Sequence, residues 1–198
     1  MVRKKILFTT AALLLLSILP LAFAGTTFVR DDEKDLLLAN DSSAPDNLQS
    51  RYSYLDITYA SVECGLSTCT FIMTVVGTAA PATLDPQIKY VRYVWRILDE
   101  NSVVIFRVFV DWAGDSGWFA STDAGAGAVF SWNKAGSTVT VVVDKSAIPS
   151  TAYRWRARTF VYTLLGSCNE GVLPDTAYGC PWFLVDNTSR PGEGFPWT

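Results

Sequence analysis

The chain has 198 residues, of which 49% are hydrophobic and 18% are charged. This composition fits one folded domain with a sizeable core and excludes an intrinsically disordered chain. Histidine is absent from the sequence, which excludes Ser-His-Asp and Cys-His catalytic sites, histidine metal ligands and the usual haem ligand. An enzyme would instead need two carboxylates that converge in a cleft, as in a glycosidase, but the acidic residues of the central region lie mostly at predicted turns: Asp99, Glu100, Asp111, Asp115 and Asp123. We therefore expect no enzymatic activity and no cofactor other than the calcium considered below.

The first 24 residues have the pattern of a secretory signal peptide. Arg3, Lys4 and Lys5 precede a long apolar run, and Ala22-Phe23-Ala24 matches a small–x–small cleavage site. Cleavage there removes three positive charges and changes the formal net charge from −3 to −6. A secreted domain this acidic is a poor candidate for binding nucleic acid. The alternative is an uncleaved anchor, which would make this segment the chain's contact with a membrane.

Residues 25–53 are polar and predict an acidic, flexible arm that precedes the domain. The arm carries the cluster Asp31, Asp32, Glu33 and Asp35. It would act either as a spacer or as a donor segment that adds a strand to the sheet of a second copy. The irregular alternation of apolar residues favours the spacer.

From residue 54 onward, short alternating segments separated by turn residues predict an all-β domain, 54–198. The expected architecture is an antiparallel β-sandwich of jelly-roll or immunoglobulin-like type. The predicted strands are 54–62, 70–76, 88–98, 103–112, a short one at 118–119, 128–132, 137–143 and 154–162. The residues after 166 predict loops and an irregular tail.

Alternation along these strands predicts which side chains share a face. In the first strand Leu55, Ile57 and Tyr59 share one face. The residues expected in the core include Phe71, Met73, Val75, Trp95 and Trp155.

The four cysteines fit an oxidising compartment. Cys64 and Cys69 bracket a four-residue turn, and Cys168 and Cys180 bracket a loop. Local pairing is therefore the simplest of the three possible disulfide connectivities. A C-x-x-C spacing, which a zinc site would use, is absent. Two N-x-S/T sequons, which accept glycans in secreted proteins, begin at Asn40 and Asn187.

Three segments together resemble a known group of domains. They are Tyr54-Leu55-Asp56-Ile57-Thr58, the strand 70–75, and Asp144-Lys145-Ser146-Ala147-Ile148-Pro149 between a valine strand and an aromatic strand. Over residues 54–162 the chain is similar to secreted β-sandwich modules of the DOMON-like and family-nine carbohydrate-binding type. This resemblance implies a sugar-binding, haem-binding or structural module.

The resemblance also bears on haem and metal binding. Haem is disfavoured because histidine is missing and Met73 is the only methionine of the mature chain. The calcium often found in such modules would need clustered oxygen ligands. Asp46 and Asp56 are the positions that the resemblance suggests, although the chain has no Asp-rich loop.

Trp112, Trp118 and Trp132 are candidate ligand-binding residues because they lie in or near predicted loops. Exposed in a row, they would form a surface on which sugar rings stack, with Trp118 as the best candidate. The alternative is that these large aromatic rings pack in the core.

Arg154, Arg156 and Arg158 share the outer face of one predicted strand, and Arg92 and Arg96 share that of another. If the two strands are neighbours, the arginines form a basic stripe. This stripe would bind an anionic polysaccharide or a carboxylate-bearing partner through bidentate contacts. We favour the alternative, in which they pair with Asp and Glu on adjacent strands.

These observations together predict a secreted, non-catalytic binding module of the cell surface or extracellular space. Its expected partner is a polysaccharide or glycan surface. The alternative is a self-assembling filament or surface-layer subunit, in which residues 25–45 add a strand to copies of the same chain.

Overall fold

The computed structural model of the protein describes residues 25–31, 37–38, 50–84, 86, 88–113, 116–163, 183–187 and 195–196. Within these ranges, no helix has the length and hydropathy that crossing a membrane requires. The predicted signal peptide, Asn40, Asp46, Cys168 and Cys180 lie outside the described residues.

The described residues form two antiparallel sheets, so the predicted all-β sandwich is confirmed. Short 3-10 helices span Ser53–Leu55, Ala126–Ala128 and Lys145–Ala147. The strands are β1 (Gly25–Arg30), β2 (Leu37–Leu38), β3 (Ile57–Cys64), β4 (Thr68–Val75), β5 (Ile88–Leu98), β6 (Val104–Ala113), β7 (Trp118–Thr122), β8 (Val129–Ala135), β9 (Thr138–Asp144), β10 (Arg154–Thr163), β11 (Phe183–Asn187) and β12 (Phe195–Pro196).

Two strand orders define the sandwich. One sheet has the order β1-β3-β4-β9-β8. The other has the order β2-β11-β10-β5-β6-β7, with β12 also paired to β10. Contacts between β7 and β8 on one side, and between β1 and β12 on the other, bring the sheets together at their edges.

The core fills the space between the sheets. Both sheets contribute to it, and the residues predicted in the core are fully or almost fully buried: Phe71, Met73, Val75, Trp95 and Trp155. The two tryptophans are among the largest fully buried side chains described. Period-two alternation therefore predicted the inner faces of β4, β5, β9 and β10 correctly.

The face predicted for the first strand is wrong beyond its start. The strand begins at Ile57, and its pairing with β4 shifts register between Ile57 and Tyr59. After this irregularity Ala60 and Val62 are fully buried in the core, whereas Tyr59 is half-buried and stacks on Phe28. A bulge of one residue moves all following side chains to the opposite face.

The N-terminal arm and the tail were predicted to be irregular, yet both contain strands. Gly25–Arg30 pairs along its whole length with β3 of the same chain, from Gly25 opposite Cys64 to Arg30 opposite Tyr59. The tail contributes β11 and β12, which both pair with β10. Short polar segments such as GTTFVR have little alternation, so only the available sheet edge makes them strands.

Candidate functional site: an arginine row on the outer face of one sheet

Strand pairing brings three arginines into one row across the outer face of the β5 sheet. Arg156 of β10 lies opposite Arg96 of β5, which in turn lies opposite Arg107 of β6. Directly opposed residues of antiparallel strands have Cα atoms roughly 5 Å apart. The three guanidinium groups therefore start from adjacent points on one face. We call these three residues the arginine row.

Three more arginines of this face surround the row. Arg154 and Arg158 lie two residues before and after Arg156 on β10, and Arg92 lies four residues before Arg96 on β5. Alternation explains the arrangement, because the residues between these arginines, such as Trp95, Trp155 and Ala157, fill the core. The arginines of the predicted basic stripe thus lie on neighbouring strands and share one face, and Arg107 of β6 adds a residue that the sequence did not include.

The arginine row places like charges against each other. Partial burial, together with repulsion from Arg158, Arg156, Arg107 and Arg92, lowers the pKa of Arg96 to about 10, and burial is the larger cause. Burial also lowers the pKa of Arg156. The Nε atoms of Arg96 and Arg156 are buried without a hydrogen-bond partner. Buried donors without a partner and adjacent like charges both cost free energy in the unbound protein, and an anion at the accessible part of the guanidinium groups would offset the repulsion between them.

Arg92 differs from the row because a carboxylate neutralises it. Its Nε and Nη2 atoms donate to the two oxygens of Asp111 at 2.7 and 2.6 Å. The hydroxyl of Tyr90 donates to the same carboxylate at 2.7 Å, and Asp111 is 2% exposed. Burial lowers the pKa of Arg92, but the hydrogen bonds and charge of Asp111 outweigh burial and raise it. The Arg92 guanidinium also lies 4.2 Å over the ring of Phe109.

The ion pair between Arg107 and Asp123 on this face is weaker than the one between Arg92 and Asp111. Arg107 Nη1 lies 3.4 Å from Asp123 Oδ1, and both side chains are substantially exposed. Exposed pairs of this kind contribute little. Among the described residues, Arg96, Arg154 and Arg156 form no ion pair. Pairing with acidic residues, the arrangement that the sequence favoured, therefore accounts for Arg92 and in part for Arg107, but not for the middle of the row.

The three candidate tryptophans do not form the exposed row that a sugar platform needs. Trp112 and Trp118 are opposite each other on β6 and β7, half-buried against the core. The indole N–H of Trp118 donates to the Pro81 carbonyl at 2.9 Å, and its ring centroid lies 5.6 Å from that of Tyr93. Trp132 faces the core opposite Val141 and is also half-buried. All three serve packing in this fold.

The metal, disulfide and sequon predictions have separate outcomes. Asp56 is 1% exposed at the start of β3, and no group of three potential metal ligands occurs in the described part of the chain. Cys64 and Cys69 form the predicted disulfide, which closes the turn between β3 and β4. Asn187 is the last residue of β11.

No protein-family model, curated protein or solved structure matches this chain. What the surface binds must therefore be argued from its own geometry and charge.

Proposed function

We propose that this chain is a secreted, non-catalytic binding module that holds an anionic polysaccharide on its arginine row, at the cell surface or in the extracellular space. The observation that carries the proposal is the position of Arg96. It lies between Arg107 and Arg156, forms no ion pair in the described residues, and has a buried Nε without a partner. A polymer with a carboxylate on its sugar rings would supply the missing charge and acceptors.

The chemistry of the row suits binding rather than catalysis. Guanidinium groups remain protonated, donate hydrogen bonds in a planar fork and match carboxylate oxygens in bidentate pairs. Along β10 the arginines repeat every second residue, about 7 Å apart, and across the strands they repeat at about 5 Å. A surface of this kind can engage several carboxylates of one extended polymer, which a single small anion cannot do.

The rest of the protein is acidic, which makes the row selective. The formal net charge is −3 for the whole sequence and −6 after the predicted cleavage. Polyanions are therefore repelled by most of the surface and attracted to one face of one sheet. This contrast favours flexible polymers of moderate charge density over nucleic acids, which carry one charge per phosphate.

The test measures binding of the mature chain to polygalacturonate, with neutral amylose as the uncharged control. We expect polygalacturonate alone to bind, with an affinity that falls as salt increases. Arg96→Gln and Arg156→Gln should each weaken binding about tenfold or more, because each charge-assisted contact contributes roughly 1.5–3 kcal/mol.

Arg30→Gln is the matched control, since Arg30 is exposed on β1 of the other sheet. It removes the same charge from the protein and should leave the affinity unchanged. Equal binding of amylose, or equal weakening by Arg30→Gln and Arg96→Gln, would show that the row is not the binding surface.

A further inference from the structure

A pocket of about 420 Å³ lies where β5 ends and β10 begins. Two loops form it, one after β5 and one before β10. Its lining consists of Asp99, Glu100, Asn101, Ser150, Thr151, Ala152 and Tyr153. Arg154, which belongs to the basic face, lies with its guanidinium 5.1 Å over the ring of Tyr153, so the pocket adjoins that face at Arg154.

Backbone hydrogen bonds hold both loops in place. The N–H of Tyr153 donates to the Leu98 carbonyl at 2.9 Å, which ties the second loop to the end of β5. Within the first loop, the N–H of Asp99 donates to the Val103 carbonyl at 3.0 Å. Oδ1 of Asp99 accepts the N–H groups of Asn101 and Val103 at 2.9 and 2.8 Å. The pocket is therefore formed before any ligand arrives.

Tyr153 gives the pocket an aromatic wall. The residue is 51% exposed, although aromatic rings usually bury most of their area. The guanidinium of Arg154 lies 5.1 Å over the ring and links the aromatic wall to the basic face. An exposed ring beside hydroxyl and amide groups has the chemistry of a sugar subsite, since a pyranose offers an apolar C–H face and several hydroxyls.

The charge of the pocket is opposite to that of the row. Asp99 and Glu100 would repel a carboxylate-bearing sugar, but their oxygens accept hydrogen bonds from sugar hydroxyls. We infer that the Tyr153 pocket binds an uncharged sugar ring, so that the preferred ligand is a polysaccharide in which acidic and neutral sugars alternate. This inference rests on the proposed function, because the arginine row must hold the acidic sugars.

The spacing along β10 agrees with such a ligand. The guanidinium of Arg154 lies 5.1 Å over the Tyr153 ring, and Arg156 follows two residues later on the same face as Arg154, about 7 Å further along the strand. A disaccharide spans this distance, so one neutral ring on Tyr153 places the adjacent acidic ring near Arg154 and Arg156. A polymer with a carboxylate on each ring would put one of its charges against Asp99 and Glu100.

The experiment compares two polymers on the mature chain: hyaluronate, which alternates acidic and uncharged sugars, and polygalacturonate, which is acidic at each sugar. We expect tighter binding of hyaluronate. Tyr153→Ala should lower hyaluronate affinity about tenfold and leave polygalacturonate affinity unchanged, whereas Tyr153→Phe, which keeps the ring, should retain most of the affinity. Phe130→Ala is the control, since Phe130 is 63% exposed on β8 of the other sheet.

The variants separate this inference from the proposed function. If Arg96→Gln weakens both polymers but Tyr153→Ala weakens neither, or both equally, the pocket inference is wrong and the arginine row stands. If Arg96→Gln changes neither polymer, the proposed function is wrong as well. Equal loss of hyaluronate affinity in Phe130→Ala and Tyr153→Ala would also overturn the pocket inference.

Discussion

At the scale of single residues, two arginines on the same face of β5 have opposite effects on the folded protein. Arg92 completes the hydrogen bonding of a buried carboxylate, Asp111. Arg96 is half-buried among other arginines, and its pKa is lowered to about 10 by burial and by their charge. Arg92 therefore stabilises the free protein, whereas Arg96 costs stability that only an anionic ligand would return.

This difference predicts opposite effects of the same substitution. Arg92→Gln should reduce the free energy of unfolding by about 2–3 kcal/mol, because it leaves the buried Asp111 without its charged partner. Arg96→Gln should raise it, because one of several adjacent positive charges is removed. Urea unfolding of both variants, without polyanions, measures the two changes. Destabilisation by Arg96→Gln comparable to that of Arg92→Gln would contradict the account of the row.

Buried tyrosines predict how stability depends on alkaline pH. Burial raises the pKa of Tyr54, Tyr90 and Tyr93 well above the ordinary value of 10. Their contribution to stability is therefore complete below pH 10 and decreases as the pH rises above it, because only the unfolded chain ionises readily. Arg96 and Arg156 change stability in the opposite direction, because burial lowers their pKa values and disfavours the charged form in the fold. Their penalty to stability begins to decrease only as the pH rises above the lowered pKa, which is about 10 for Arg96.

Because three tyrosines lose stability and only two arginines, Arg96 and Arg156, regain it, we expect a net loss of stability above pH 10. Thermal unfolding, followed by circular dichroism between about pH 8 and about pH 11.5, measures this loss of stability. The range brackets the ordinary tyrosine pKa of about 10. Tyr93→Phe should lower stability at neutral pH, because the hydroxyl donates to the Tyr54 carbonyl and accepts the Ala80 N–H. The substitution should also make stability decrease less steeply as the pH rises above about 10. A decrease of equal slope in this variant would exclude Tyr93 as a cause.

At the scale of elements, β1 closes one edge of the sandwich. Its residue Thr27 accepts a hydrogen bond from the indole N–H of the fully buried Trp155 at 2.6 Å, across the two sheets. The neighbouring Thr26 is exposed. The strand that the filament hypothesis would give to a second copy is thus paired within its own chain, and it contributes to the core of that chain.

Thr27→Val should therefore destabilise the protein by about 1 kcal/mol, because it removes the acceptor of a buried indole while keeping the shape of the side chain. Thr26→Val is the control and should change stability by less than about 0.5 kcal/mol, as is usual for exposed positions. Urea unfolding of the two variants measures both changes in the free energy of unfolding. Equal effects at both positions would mean that β1 is not bound to the core in solution.

The sequence predicted which segments form strands better than it predicted how those strands pair with one another. Alternating valines in β9 and alternating apolar residues in β4 identify strands and inner faces, because one residue in two faces the core whatever the partner strand. The register shift in β3 and the pairing of β1 follow from neighbouring strands, which a local pattern does not specify. For the same reason the sequence left open whether Trp112, Trp118 and Trp132 lie at a binding surface or in the core, and in the fold all three are half-buried against the core.

At the scale of the whole molecule, the fold separates charge. Arginines at positions 92, 96, 107, 154, 156 and 158 share one face, while the formal net charge of the sequence is −3. Positive charges concentrated in this way act as one site for a polymer, and their repulsion is released when the polymer binds.

Binding should therefore stabilise the whole domain. With polygalacturonate at about 100 times its Kd, the free energy of unfolding should rise by about 2.7 kcal/mol, which corresponds to a Tm increase on the order of 5–10 °C. The increase should shrink as salt is added, and it should be largely lost in Arg96→Gln. Thermal scans with and without the polymer measure this effect. A Tm increase that is the same in Arg96→Gln would place polymer binding elsewhere.

The sequence by itself determined the all-β class, the inner faces of most strands and the presence of arginines on the outer faces of two strands, and it favoured the Cys64–Cys69 pair. Each of these is a local property, because a period of two or a four-residue turn is complete within one segment. Only the tertiary structure decided that β5 lies between β10 and β6, so that Arg96 meets Arg156 and Arg107, and that the loops after β5 and before β10 together form the Tyr153 pocket. The physical reason is that strand order depends on contacts between segments far apart in the chain, and these contacts are selected by the packing of the whole core.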